Sequence, residues 1–206
     1  VISQYMTELV GEKQPESVTY TYDLQQSLRY GENPHQQASF YKKPLGSTFS
    51  IANAMQLHGK ELSYNNINDA NAALQIVKEF EGPAAVAVKH NNPCGVGTGE
   101  TIFEAFSKAY EADSTSIFGG IIALNGEVDA ETAKKLHEIF LEIVIAPSFS
   151  QEALDILTSK KNLRLLTIPF NDNNVAEKVL TSVEGGLLVQ DADTYTLEDA
   201  NITIPT

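Results

Sequence analysis

The apolar positions of this chain alternate between two kinds of run. Ala84-Ala-Val-Ala-Val88 is continuous, as in a strand covered on both faces, and Ile121-Ile-Ala-Leu124 and Leu141-Glu-Ile-Val-Ile-Ala146 repeat the pattern. Between them the spacing turns helical. Ala70, Ala73, Leu74, Val77 and Phe80 share one face of a segment from about Ile67 to Phe80, and Ile102, Phe103, Phe106 and Tyr110 share one side of 100–112. Asn65 or Asn66 is placed to cap the first helix, Asp129 one that runs to about Phe140, and Ser150 a short one through Leu157. Leu163 to Ile168 reads as a strand, and Val179 to Val189 contains a Gly185-Gly186 turn. Upstream, Val18, Tyr20, Tyr22 and Leu24 alternate with polar neighbours as a half-buried strand does. Ile2, Tyr5, Met6 and Leu9 have a helical spacing that Gly11 and Pro15 break. Strands alternating with helices give a βαβ rhythm and an α/β fold class.

Composition narrows the field. The 206 residues, 42% hydrophobic and 20% charged, suffice for one ordinary domain, or one and a half, with a real core. No apolar run approaches the roughly 20 residues of a membrane span, and no basic segment leads into an apolar signal core. Cys94 is the single cysteine, which excludes an internal disulfide framework and fits a reducing cytoplasm. A net charge of −13 argues against a nucleic-acid or anionic-membrane partner. It leaves room for a small anionic ligand held by a local cation cluster.

Candidate chemistry begins where the central strand ends, at Lys89-His90-Asn-Asn-Pro93-Cys94-Gly95-Val-Gly97-Thr-Gly99. Ligands of open α/β sheets gather beyond the carboxyl ends of strands, so these glycines are expected to form a loop leading into an anion-attracting helix N-terminus. Standing alone, a solvated lysine and a structural histidine are the commoner outcome. The turn-rich stretch Leu28 to Gln36 carries Arg29, whose planar fork suits phosphate, although a turn with one exposed arginine explains it equally well. Gly119-Gly120 permits close approach by a ligand or by another backbone, and Phe118 beside it is a core residue or a stacking platform. Glu142, next to an apolar strand, needs a partner.

Several chemistries are disfavoured. Pro93-Cys94 resembles the Pro-Cys element of zinc deaminases, but position 97 is Gly rather than Cys, and His35 and His58 lack a glutamate two residues on. The glycine stretch lacks the Gly-Lys-Ser/Thr ending of a P-loop, and no serine elbow is present. What remains suits binding an anionic small molecule and polarising an acyl group.

Leu28-Arg-Tyr-Gly-Glu-Asn-Pro-His-Gln36, Lys89-His-Asn-Asn-Pro-Cys-Gly95, Ser116-Ile-Phe-Gly-Gly120 and Ile145-Ala-Pro147, in that order, resemble the formyltransferase part of a family of bifunctional purine-biosynthesis enzymes. These join aminoimidazole carboxamide ribonucleotide formyltransferase to inosine monophosphate cyclohydrolase. The resemblance runs from about Ser27 to the end. It implies a cytidine-deaminase-like three-layer α/β unit, with a mixed sheet, helices on both faces and no zinc. Residues 1–16 would be the exit helix and linker of a cyclohydrolase domain, and 17–206 the first of two such units. The implied reaction moves a formyl group from 10-formyltetrahydrofolate to the 5-amino group of the nucleotide. The resemblance makes His90 the general base and Lys89 the oxyanion stabiliser. Arg29 and Tyr30 would hold the nucleotide, Asn66 and Gly119 line its site, Glu142 contact it, and Phe118 lie near the folate. It also implies a homodimer, with a site completed by the second half and a neighbouring subunit, so that this chain alone is inactive. The reading from a different class is a non-catalytic nucleotide-binding or dimerisation module.

Overall fold

The computed structural model describes residues 16–44, 46–170 and 178–194. They belong to two compact units, Val1–Asn171 and Asp172–Thr206. The predicted helix near the start lies outside the described residues.

The first unit is built on a six-stranded sheet in the order β3-β8-β7-β6-β4-β5, formed by β3 (Met55–His58), β4 (Ala84–Lys89), β5 (Asn92–Thr98), β6 (Ile121–Leu124), β7 (Ile143–Ala146) and β8 (Arg164–Thr167). β6, β7 and β8 run parallel, whereas β4 is antiparallel to both its neighbours and β3 is antiparallel to β8. Helix α1 (Tyr64–Val77) covers one face, and α2 (Ile102–Ala112), α3 (Ala130–Glu138) and α4 (Gln151–Leu157) cover the other. Side-chain alternation sorts the two cores. Val86 and Val88 pack with Ala73, Leu74 and Val77 of α1, while Ala85 and Ala87 pack with Ala105, Phe106 and Ala109 of α2. Burial on both faces is why these strands read as unbroken apolar runs. The expected α/β fold with a mixed sheet and helices on both faces is what the chain forms.

Three local readings change. The strand expected over Ser17 to Leu24 is instead β1 (Asp23–Leu28), paired antiparallel with an unanticipated β2 (Ala38–Lys42); Val18, Tyr22 and Leu24 face solvent. Helix α1 starts at Tyr64 because Ser63 is its cap. The Ser63 hydroxyl accepts from Asn66 N at 3.2 Å and the Asn66 side chain accepts from Ser63 N at 3.1 Å, a reciprocal capping box.

The third change bears on function. Asn92 to Thr98 is an edge strand, not a ligand-binding loop. A Cβ at Gly95 would lie 2.1 Å from Ala109 O, and one at Gly97 2.2 Å from Ala105 O, so these glycines let α2 lie directly on β5. Strand β5 also carries the chain some 20 Å away from Lys89 before α2 begins. The first turn of α2 is already occupied: Thr101 caps Glu104 N, and the Glu104 carboxylate accepts from Glu100 N at 2.8 Å while pairing with Lys108. Since β4 is antiparallel to β6, Lys89 shares its sheet edge with the amino ends of β6, β7 and β8, not their carboxyl ends. Asp129 and Ser150 cap α3 and α4 as expected.

In the second unit, β9 (Val179–Val183) and β10 (Gly186–Gln190) form an antiparallel hairpin, turned at Glu184-Gly185 with Gly185 at φ 72°. Among the described residues no helix is long and apolar enough to cross a membrane.

Candidate active site

Strand β4 delivers Lys89 to the sheet edge, where its Nζ donates to the Phe118 carbonyl at 2.5 Å. The next two residues, His90 and Asn91, have φ of 56° and 63° and connect Lys89 to its cross-strand partner Asn92. Two successive residues with positive φ are the mark of a type I′ turn, whose twist suits a two-residue hairpin. Side chains hold its central peptide: Asn91 N donates to Asp69 Oδ1 at 2.9 Å, and Asn92 Nδ2 donates to His90 O at 2.9 Å. His90 is exposed, and its imidazole makes no hydrogen bond among the described residues.

The segment facing Lys89 is organised by Asp113. Its Oδ1 accepts from Thr115 N at 3.1 Å and Ser116 N at 2.9 Å, and bonds from the Ser116 hydroxyl and N–H hold its carboxyl below the ordinary value. Buried Ile117 anchors the turn, leaving Phe118 58% exposed with its ring 5.2 Å from that of Phe140. Gly119 has φ 74° and donates its N–H to Phe140 O at 2.7 Å, so conformation demands the glycine there. At Gly120 the reason is space, since a Cβ would meet Ile117 O at 2.9 Å and Val88 O at 3.1 Å.

Glu142 finds the partner its setting requires. Its Oε2 accepts from Asn66 Nδ2 at 3.0 Å and from Arg164 Nη1 at 3.3 Å, while Arg164 Nε points to the Lys60 and Glu61 carbonyls, each at 3.1 Å. Arg164 was not singled out in the sequence. The available signal was a cation at the start of the next apolar strand, where a parallel ladder sets it against Ile143. Asn66 is only 7% exposed, and both ends of its amide are used, one in the capping box and one on Glu142. Backbone bonds from Glu142 N to Gly120 O (3.0 Å) and from Arg164 N to Glu142 O (3.1 Å) set the three residues in one row. Beside them a cavity of about 290 Å³ is lined by Phe140, Glu142, Lys160, Lys161 and Arg164 among others. Lys160 donates to Ile139 O at 2.7 Å, and burial lowers its pKa.

Arg29 and Tyr30 follow β1, with the Arg29 guanidinium 5.7 Å from the centre of the Tyr30 ring. Their loop is closed by Gly31 N to Gln36 O and Asn33 N to Gln36 Oε1, both 2.8 Å. Gln26 donates to Leu62 O at 3.2 Å, tying β1 to the segment whose carbonyls receive Arg164. No described contact joins Arg29 or Tyr30 directly to Lys89, His90 or Glu142. Lys89, Phe118 and Gly119 thus meet directly, as do Asn66, Glu142 and Arg164, and the Gly120–Glu142 bond connects the groups. Cys94 donates weakly to Ala87 O at 3.5 Å, and burial pushes its thiol pKa up, the reverse of what a nucleophile needs. No three His, Cys, Asp or Glu side chains among the described residues are grouped to hold a metal ion.

A family profile described as the AICARFT/IMPCHase bienzyme matches residues 1–206. The chain is 73% identical over 206 residues to the bifunctional purine biosynthesis protein PurH of Halalkalibacterium halodurans, 69% to that of Anoxybacillus flavithermus and 68% to that of Bacillus subtilis. Each match covers 100% of this chain and 40% of the relative, so the chain spans 40% of the length of these curated proteins. Among solved structures, a dCMP deaminase from the cyanophage S-TIM5 aligns over 43% of this chain and 87% of that one, with a TM-score of 0.35 and 12% identity.

Proposed function

Because the chain belongs to the AICARFT/IMPCHase bienzyme family, we propose that it carries part of a formyltransferase site in purine biosynthesis. The reaction is transfer of the formyl group of 10-formyltetrahydrofolate to the 5-amino group of 5-aminoimidazole-4-carboxamide ribonucleotide. The observation that supports this reading is the Lys89 ammonium held on the Phe118 carbonyl at the end of β4, with an exposed His90 following it directly in the chain.

The substrate amine is a weak nucleophile, its lone pair delocalised into the ring and carboxamide. As nitrogen attacks the formyl carbon, positive charge grows on nitrogen and negative charge on oxygen. His90 takes the proton from nitrogen, and the Lys89 ammonium meets the oxyanion. Collapse breaks the bond from the formyl carbon to N10 of the folate, and the imidazolium returns its proton to that nitrogen. Arg29 supplies a planar fork for the nucleotide phosphate, with Tyr30 beside it. Glu142 uses Oε2 internally, leaving Oε1 to accept from the nucleotide, and Asn66 lines the site by fixing that carboxylate. Gly119 keeps the wall next to Lys89 free of a side chain, and exposed Phe118 offers its face to the folate.

In this reading residues 1–16 are an exit helix and linker from a cyclohydrolase domain, and 17–206 form the first deaminase-like half of the transferase. The enzyme is a cytoplasmic homodimer whose site needs the second half and a neighbouring subunit. In the complete enzyme, His90→Ala is expected to lower kcat by about 100-fold or more with nucleotide Kd nearly unchanged, since a general base acts in the transition state. Preserved turnover with lost affinity would make His90 a binding residue instead. The same assay on the 206-residue chain alone should detect no formyl transfer, and robust activity there would overturn the divided site.

A further inference from the structure

We propose that Asp69, on helix α1, is a positioning residue for His90. The inference rests on the reading of His90 as the base. The peptide unit between His90 and Asn91 has two polar groups, and side chains bind both. Its N–H donates to Asp69 Oδ1 at 2.9 Å and its carbonyl accepts from Asn92 Nδ2 at 2.9 Å. Fixing that plane constrains ψ of His90 and φ of Asn91, and with them the direction in which the His90 Cα–Cβ bond leaves the turn. Such a device is needed here. Both residues carry a Cβ yet sit at φ 56° and 63°, a region L side chains enter at a cost, and the turn is exposed, with no core packing to enforce it. The bond to Asp69 reaches across 22 residues from a rigid helix, and its acceptor is a carboxylate, which makes it stronger than a neutral pair.

Asp69 lies three positions beyond Asn66, so the two share a face of α1. Asn66 orients Glu142 while Asp69 orients the His90 turn. One helix face therefore sets the spacing between the proposed base and the proposed nucleotide-contacting carboxylate. A misplacement of about 1 Å in a reacting group can cost about 100-fold in rate.

The test is a double-mutant cycle in the complete enzyme. Asp69→Ala should lower kcat at least about tenfold with KM nearly unchanged, whereas Asp69→Asn, whose amide oxygen still accepts from Asn91 N–H, should recover most of the loss. In a His90→Ala background Asp69→Ala should cost nothing more, because its effect passes through the imidazole. Asn92→Ala, which releases the other end of the same peptide, should give the same signature and serves if Asp69→Ala fails to fold. An equal loss from Asp69→Ala with and without His90, or normal kcat in Asp69→Ala and Asn92→Ala beside a crippled His90→Ala, would overturn the positioning role and leave the base intact. Full turnover in His90→Ala would remove the base itself, and the proposal with it.

Discussion

Substituting Gly95 by alanine separates a packing glycine from a ligand-binding one. The new Cβ would lie 2.1 Å from Ala109 O, and the atom it meets is main chain of α2, so no rotamer change relieves the clash. Ordinary contact returns only if α2 and β5 part by about 1 Å, and overpacking of this kind costs about 1–3 kcal/mol. For a chain of this size each kcal/mol lowers Tm by about 2–4 °C, so a fall of about 2–12 °C is expected by circular dichroism. Gly82→Ala is the matched control. Its Cβ has nothing within 4 Å and its φ is ordinary, so it should be neutral or slightly stabilising. An unchanged Tm in Gly95→Ala, with nucleotide affinity lost, would refute the packing account and restore the glycine stretch as a ligand cradle.

Three further outcomes are expected. Arg164→Met leaves the Lys60 and Glu61 carbonyls and Glu142 Oε2 without their cation and should cost about 0.5–1.5 kcal/mol in a urea titration, because water can reach the exposed carbonyls. Little of that is the ion pair itself, because Glu142 is 40% exposed; an unchanged midpoint would show the contacts to be ornamental. The Asp113 carboxyl has a depressed folded-state pKa, so its contribution is present above the unfolded value of about 3.9 and is lost as pH falls through the folded one. Amide protection at Thr115 and Ser116 should therefore hold at neutral pH and drop in acid, and a flat profile would contradict the assignment. Arg29→Lys in the complete enzyme should weaken nucleotide binding by calorimetry about tenfold, since the charge stays but the fork is lost; unchanged binding would take Arg29 out of the site.

Much of the fold was legible because local rules agree with the global ones. Doubly covered strands announce themselves as unbroken apolar runs, as at Ala84 to Val88, and Asp129 and Ser150 mark helix starts by chemistry that needs no tertiary context. Glu142 declared its need for a partner by being a carboxylate beside a buried strand. The glycines were misleading because a Gly-rich stretch has the same local signature whether its missing side chains make room for a ligand or for a helix. Only the packing of α2 on β5 decided that. Strand direction was equally silent, since a βαβ-like alternation of apolar runs says nothing of β4 running against β6, and that reversal places Lys89 at the amino ends of the parallel strands. Arg164 and Asp69 were invisible for a related reason: their partners lie 22 residues away, Glu142 for one and Asn91 for the other. The sequence by itself determined which residue types were available and which segments would be buried. The tertiary structure decided which of those residues meet, because hydrogen bonds and ion pairs act over a few ångströms of space and carry no trace along the chain.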